Sequence, residues 1–452
     1  MEEEAAARHS DALALDHLQT LIRIPTVSRL DESLIEWSRF DEFTSTLALL
    51  YPRVHAALSL DIVDGYALLF RWHGRSPGDE TVLMAHYDVV AADDATGWTH
   101  PPFDAVVTGS GAERIIWGRG TLDDKGAVAA ILEAVEGLLG VGFVPEHDVY
   151  LSFGHNEETA GSGAAALVRE LEHRGVHPRL VLDEGGAVVE KVFPGVSRPT
   201  AVVGVSEKGM ANITLTVEQS GGHASTPPRL TATARLARAL VRLEKRPFPA
   251  SIPAPTIEMI RTIGAHSTPL LRFVFTRADT LRLPLIALFA RLSDETNAMI
   301  RTTAAVTQLR ASDSANALAE RAVAVVNTRI AIGSSVAATL RHIRRVVRDP
   351  LVVIEASTPS EPSPVSPSTG AMWQLLSETI SAVYPRAIVS PYVMLGASDA
   401  RHFTSISSHV YRFTPFEMSS AERATLHAID ERMHVSTFLS GIRFYRTLIE
   451  RL

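Results

Sequence analysis

The chain has 452 residues, 46% hydrophobic and 21% charged, enough apolar material for a packed globular protein of roughly two domains. Its net charge of −8, with no basic block, argues against a nucleic-acid partner. It contains no cysteine, which excludes thiol catalysis, disulfides and Cys-ligated structural zinc, and leaves the compartment open.

The N-terminus, Met1-Glu2-Glu3-Glu4 followed by alanines, lacks the basic region and apolar core of a secretory signal. From about residue 11 to residue 192, strand-like and helix-like segments alternate. This predicts an α/β fold with a mixed, mostly parallel central sheet flanked by helices. The stretch Phe193-Pro194-Gly195-Val196-Ser197-Arg198-Pro199 breaks the pattern. Residues 211–218 then alternate with period two, as in an antiparallel sheet with one wet face. A helix is expected over 230–243, and a Pro-rich segment over 247–255. The apolar helical region that follows, to Ala298, reads as an insertion enlarging a small domain. Its most apolar run, 283–292, contains Arg291 and is shorter than the roughly 20 residues a membrane span needs. A strand over 322–332, a helix over 336–347 and a strand over 351–355 complete that domain, and 357–367 reads as a return linker. The expected organisation is a catalytic domain (1–203), an inserted α+β lid or dimerisation domain (204–360) and a second catalytic part (361–452). No repeat of 20–50 residues is present. The expectation is a cytoplasmic protein without a membrane partner.

Acid and imidazole side chains recur where strands should end. The apolar run Val82-Leu83-Met84-Ala85 ends in His86-Tyr87-Asp88. In extended chain, residues two apart point the same way. His86 can therefore ligate a metal while Asp88 accepts its other ring N–H. The run 118–126 sets Asp123 and Asp124 between glycines before a helix with Val128, Ile131, Leu132, Val135 and Leu139 at helical spacing. A loop aspartate can give one oxygen to each of two cations about 3.5–4 Å apart. A strand over 149–153 leads to Glu157-Glu158, where one carboxylate can ligate and its neighbour stay free as a base. A strand over 180–182 ends in Asp183-Glu184, and His427 lies in Thr425-Leu426-His427-Ala428-Ile429-Asp430-Glu431. Each has a bland alternative: a surface histidine, a helix cap, or acids suited to a helix dipole. Together, in one α/β pattern, they form a ligand shell for two metals plus a base, at strand ends where α/β sheets bind ligands.

These residues resemble the co-catalytic zinc peptidases that include glutamate carboxypeptidase, aminoacylase, carnosinase and succinyl-diaminopimelate desuccinylase. The likeness runs nearly end to end, from residues 18–28 through Trp98 to Phe103, Gly222-His223 and the segments above. The 183–186 stretch, Arg301-Thr302-Thr303, Asn327-Thr328-Arg329 and the His427 segment are most similar to the branch of carboxypeptidase S and N-fatty-acyl-amino-acid hydrolases. The resemblance implies a zinc-exopeptidase fold with two Zn²⁺ per subunit, Co²⁺ or Mn²⁺ being chemically possible. One ion would take His86, Asp183 and the bridging Asp123; the other Glu158, His427 and Asp123. It implies Glu157 as general base and acid, with Asp88 supporting His86. His223 would be a lid histidine donating to the oxyanion, in trans in dimeric relatives. Arg329 would hold the substrate carboxylate in a bidentate fork. Asn327, Thr302, Thr303 and Arg401 would lie on the substrate side. The segment departs from the family after His427, where relatives usually carry glycine, and at Asp430, where they carry asparagine.

The reaction implied is hydrolysis of the amide bond of an N-acyl amino acid or of a C-terminal residue of a small peptide, by an enzyme that is possible as a homodimer through the lid. A dipeptidase or another small-substrate deacylase is the alternative in the same class. A metal-binding regulatory protein without activity is the alternative of another class, weakened by the retention of Glu157. A binuclear phosphohydrolase is weakened by the lack of a basic phosphate clamp; Gly161-Ser162-Gly163 and Gly185-Gly186 lack the phosphate-loop signature.

Overall fold

The computed structural model describes residues 2–92, 96–190 and 195–452, with side chains from Ser10 onward. Met1, Val192, Phe193 and Pro194, which entered the sequence reading, lie outside the described residues. The larger sheet runs, in spatial order, Ser59–Val63, Ala67–Trp72, Val149–Gly154, Thr81–His86, Leu180–Asp183, Val410–Arg412, Thr200–Glu207, Val188–Val189 and Glu417–Met418. Strand Ile388–Met394 pairs with Thr200–Glu207 off this path. Five of its pairings are parallel and four antiparallel among the described residues, so the sheet is mixed. The parallel block is the one that matters for function: Val149–Gly154, Thr81–His86, Leu180–Asp183 and Val410–Arg412 lie side by side.

Every residue of Thr81–His86 and of Val149–Gly154 is buried. That is the expected state of parallel strands covered on both faces, and it explains their unbroken apolar runs. Helix Lys125–Gly140 covers one face and packs against the C-terminal helix Val435–Ile449. Its small side chains, Ala127, Ala129, Ala130 and Ala134, are all buried and permit close approach.

A second, four-stranded antiparallel sheet is formed by Thr303–Arg310, Arg321–Ile330, Gly209–Glu218 and Val353–Ser360. Gly209–Glu218 alternates buried and half-buried residues over most of its length, as its period-two sequence predicts. Helices Ala232–Lys245 and Val336–Val347 cover the apolar face and close a separate core around Ile213, Leu236, Val326 and Ile343. The strand at 353 continues to Ser360, where Ser357 and Ser360 pair with Asn212 and Met210. The return linker therefore begins after Ser360, later than the serine- and proline-rich composition of 357–367 suggests.

The helical insertion differs from expectation. Helices Ala254–Gly264, Pro269–Phe275, Arg282–Leu292 and Asp294–Met299 do not enlarge the core of the four-stranded sheet. Ile257, Ile260, Ile263, Phe275, Leu285 and Phe289 pack instead with Ile388 and Tyr392 of the larger sheet and with Leu395 just after it. Ile388–Met394 hydrogen-bonds only to Thr200–Glu207 among the described strands, and the insertion covers this otherwise open edge. No helix among the described residues is long and apolar enough to cross a membrane.

Candidate metal centre

The parallel block delivers its acids and imidazole to one end. His86 is the last residue of its strand, Glu157 and Glu158 follow Val149–Gly154 in a short 3-10 turn, and Asp183-Glu184 ends Leu180–Asp183. Asp123 stands just before helix Lys125–Gly140, and the Asp123–Asp124 peptide is cis.

Asp123 lies between two imidazoles. His86 Nε2 is 3.0 Å from its Oδ1, and His427 Nε2 is 2.9 Å from its Oδ2. His427 Nε2 is also 3.1 Å from Glu158 Oε2, and His86 Nε2 is 3.8 Å from Glu184 Oε1. Two trios result, His86–Asp123–Glu184 and Asp123–Glu158–His427, with ligand atoms within 4.8 Å of one another in each. Ligand atoms about 2.0–2.2 Å from one ion stand roughly 3–4 Å apart, so both trios have the dimensions of a cation site. The donor set, neutral imidazole nitrogen and carboxylate oxygen, suits zinc and its neighbours. Glu158 Oε1 is buried without a hydrogen-bond partner, a further polar atom that a cation would satisfy.

Supporting contacts orient the shell. Asp88, fully buried, accepts the backbone N–H groups of Glu157 at 3.1 Å and Glu158 at 3.2 Å. Its backbone carbonyl is 3.0 Å from His86 Nδ1 and its Oδ1 is 3.3 Å away, so Nε2 is the nitrogen turned to Asp123. Glu431 accepts the N–H groups of Gly120, Leu122 and Asp123 at 3.0, 2.9 and 3.3 Å and pairs with Arg119 at 2.5 Å.

Electrostatics mark the same spot. Burial, together with the charges of Asp399, Asp123 and Glu158, holds Glu157 well above the ordinary glutamate range. Burial and Asp123 do the same for Glu184. The hydrogen bonds to Asp123 and Glu158 push the His427 ring up to about 10. So many carboxylates in one buried place demand positive charge.

Asp183, expected as a ligand, is placed otherwise. Its Oδ2 accepts the Ala400 N–H at 2.8 Å, and it is buried beneath the short helix Ala400–Phe403. Glu184, one residue further on, is the one that stands in the trio with His86 and Asp123. The acidic doublet was visible in the sequence; which of the two faces the site depends on how the strand ends.

A cavity of about 480 Å³ opens over the shell. Asp123, Glu157, Glu158, Glu184 and His427 line its floor. Arg329, from the centre of the four-stranded sheet, and Arg401, from the larger domain, also line it. Burial and the nearby Arg401 lower the Arg329 guanidinium from its usual value. Leu30, Leu122, Met210, Met394, Met418 and Leu426 supply apolar wall that the sequence reading did not single out. Gly185 is part of that wall: with φ +120 it has no room for a Cβ, which would lie 2.5 Å from Met394 Sδ.

The remaining substrate-side candidates do not line this cavity. The Thr302 hydroxyl accepts the Ala331 N–H at 3.0 Å, and Asn327 Nδ2 donates to Asn212 Oδ1 at 2.8 Å, so both serve the sheet. Thr303 is the strand partner opposite Arg329. His223 is exposed in a two-stranded antiparallel sheet with Ala317–Leu318, its Nδ1 2.7 Å from Ser225 Oγ. A single chain does not bring it to the centre.

Known proteins resemble this chain over nearly its whole length. The sequence profile described as peptidase family M20/M25/M40 matches residues 82–451. The chain is 36% identical over 424 residues to a probable carboxypeptidase S-like 2 of Dictyostelium discoideum, covering 92% of this chain and 79% of that one. It is 35% identical over 441 residues to the human N-fatty-acyl-amino acid synthase/hydrolase PM20D1, covering 96% and 86%. The fold is shared with an M20 family metallo-carboxypeptidase of Sulfolobus solfataricus, at TM-score 0.69, 17% identity and coverage of 97% and 98%.

Proposed function

The chain belongs to peptidase family M20/M25/M40 and is a hydrolase of that class, and from this premise we propose that it is a binuclear amidohydrolase releasing amino acids from N-acyl amino acids or from the C-terminus of small peptides. The observation that carries the reading is the pair of trios sharing Asp123, with Glu157 beside them in the same cavity. We assign His86, Glu184 and Asp123 to one ion and Glu158, His427 and Asp123 to the other, Zn²⁺ being favoured and Co²⁺ or Mn²⁺ chemically permitted. When bound, such ions supply Lewis-acid polarisation of a carbonyl and acidify water.

The chain's own residues do the rest. Glu157 takes a proton from the attacking water and delivers it to the amine nitrogen as the C–N bond breaks. Its raised affinity for protons suits both halves of that transfer. Asp88 holds His86 and the Glu157-Glu158 backbone in place. Arg329 receives the carboxylate of the departing amino acid, and Arg401 faces the same space. The apolar wall from Leu30 to Met418 favours an acylated substrate over a wholly polar dipeptide. The four-stranded sheet acts as a lid, and His223 enters the site only through a second chain or a large closure.

Chelator dialysis followed by readdition of Zn²⁺, Co²⁺ or Mn²⁺ tests the metal requirement. A panel of N-acyl amino acids and dipeptides, scored by mass spectrometry, tests the substrate. Turnover should vanish with the metal, return with it, and be highest on N-acyl amino acids with a free α-carboxylate. Full activity in protein shown to be metal-free would falsify the reading.

A further inference from the structure

The helical insertion shows a surface unlike the rest of the molecule. Helix Arg282–Leu292 buries Leu285 and Phe289, yet its outward side is also apolar: Leu283, Pro284, Ala287, Leu288 and Leu292 are exposed. Leu283 is 79% exposed. Helix Pro269–Phe275 buries Phe275 in the same core and turns Leu270, 77% exposed, and Phe273, 56% exposed, to solvent. A helix that is apolar on its inner and outer sides has a partner that is not the protein's own core.

The charges on this surface are mostly of one sign. Residues 269–292 carry four arginines, Arg272, Arg277, Arg282 and Arg291, against one acid, Asp279, in a chain of net charge −8. Asp279 is already paired with Arg261 at 3.1 Å. The four arginines make no ion pair among the described residues; Arg277 lies over the Phe273 ring at 3.9 Å, and Arg282 donates to the Ile252 carbonyl. Exposed Leu and Phe interleaved with unpaired Arg is the composition of a helix that lies in a lipid interface.

We propose that this face docks on an anionic phospholipid surface, with Phe273, Leu283 and Leu288 entering the acyl boundary and the arginines meeting the headgroups. A second copy of the chain fits less well, because a two-fold contact would set these arginines against one another. The shortness of 283–292 excludes a span but not an interfacial helix, which needs no bilayer-length run. The insertion packs on Ile388–Met394, whose last residue lines the catalytic cavity, so docking would bring the cavity near the membrane. The inference rests on this surface alone and holds whichever amide is cleaved.

The test is flotation of the full-length protein with extruded vesicles, without substrate. Vesicles of phosphatidylglycerol and phosphatidylcholine should carry the protein upward, and pure phosphatidylcholine should bind at least tenfold less. Binding should fall as salt rises, since the headgroup field is screened within about 10 Å at 0.1 M. Arg272→Ser/Arg291→Ser should reduce binding to anionic vesicles by about fivefold per charge. Phe273→Ser/Leu283→Ser should abolish it, with turnover of a soluble substrate and thermal midpoint unchanged. Absence of flotation with anionic vesicles overturns the proposal, as does equal flotation of wild type and both variants. Gel filtration showing a dimer that Phe273→Ser/Leu283→Ser dissociates would assign the face to a second copy and overturn it too.

Discussion

Two acidic doublets, Glu157-Glu158 and Asp183-Glu184, are expected to divide their labour, and substitution should separate the members. Glu157 lacks a short contact to either imidazole, whereas Glu158 is 3.1 Å from His427 Nε2. Glu157→Gln is expected to keep the metal content and lower kcat by about 10²–10⁴-fold, the usual worth of general acid–base transfer. Glu158→Gln and Glu184→Gln should lower metal content, measured by elemental mass spectrometry of the purified proteins. Asp183→Asn should reduce it less, since that side chain holds the Ala400 N–H; a greater loss in Asp183→Asn than in Glu184→Gln would return the ligand role to Asp183. Arg329 supplies a second residue-level test. Loss of a charge-assisted bond costs about 1.5–3 kcal/mol, so Arg329→Ala should cut kcat/KM by roughly one to two decades. Lysine should restore part of that, lacking the planar fork. Wild type should discriminate against substrates with an amidated carboxylate and the alanine variant should not. Equal discrimination by both would move the carboxylate site to Arg401.

At the scale of elements, the loop that carries Asp123 is held from the far end of the sequence. Glu431 accepts three of its backbone N–H groups and the Arg119 guanidinium, and Arg119 also reaches the Ala428 carbonyl beside His427. Both charges are buried. Removing one partner of such a pair leaves the other uncompensated and costs about 3–5 kcal/mol. Arg119→Met should therefore lower the urea midpoint strongly and weaken metal retention, because the loop presenting Asp123 and the turn presenting His427 loosen together. Unchanged unfolding in urea would show that water replaces the lost partner. The departure at Ala428-Ile429-Asp430 from the usual family residues is absorbed locally: His427 and Asp430 adopt positive φ, and Asp430 accepts from Thr99.

For the whole molecule, His223 stands outside the cavity lining of its own chain. We expect a homodimer in which the partner supplies it. His223→Ala should lower kcat by roughly 10²–10³-fold, the loss typical of an oxyanion donor, with metal content intact. Mixing His223→Ala with Glu157→Gln under conditions of subunit exchange should regain activity, because one centre of each heterodimer then holds a wild-type base and a wild-type histidine. Exchange without regain would assign the histidine to its own chain and to a large lid closure.

What the sequence determined by itself is the chemistry and its scaffold. Fully buried parallel strands must be apolar throughout, so His86, the Glu157-Glu158 pair and the Asp183-Glu184 pair stand out at the points where such runs stop. Element types were legible for the same reason: helix 336–347 and strand 211–218 repeat at 3.6 and 2 residues, periods set by backbone geometry. Only the tertiary structure decided what depends on direction and on neighbours distant in the chain. Glu184 stands in the trio with His86 and Asp123, while Asp183 accepts the Ala400 N–H, more than two hundred residues away in sequence. Thr302 and Asn327 satisfy sheet partners because a buried or half-buried polar group takes the nearest donor or acceptor. The insertion covers the Ile388–Met394 edge because hydrophobic patterning states that a helix must bury one face without saying against what. Burial needs only a face; a site needs several chain segments to converge, and convergence is a property of the packed fold.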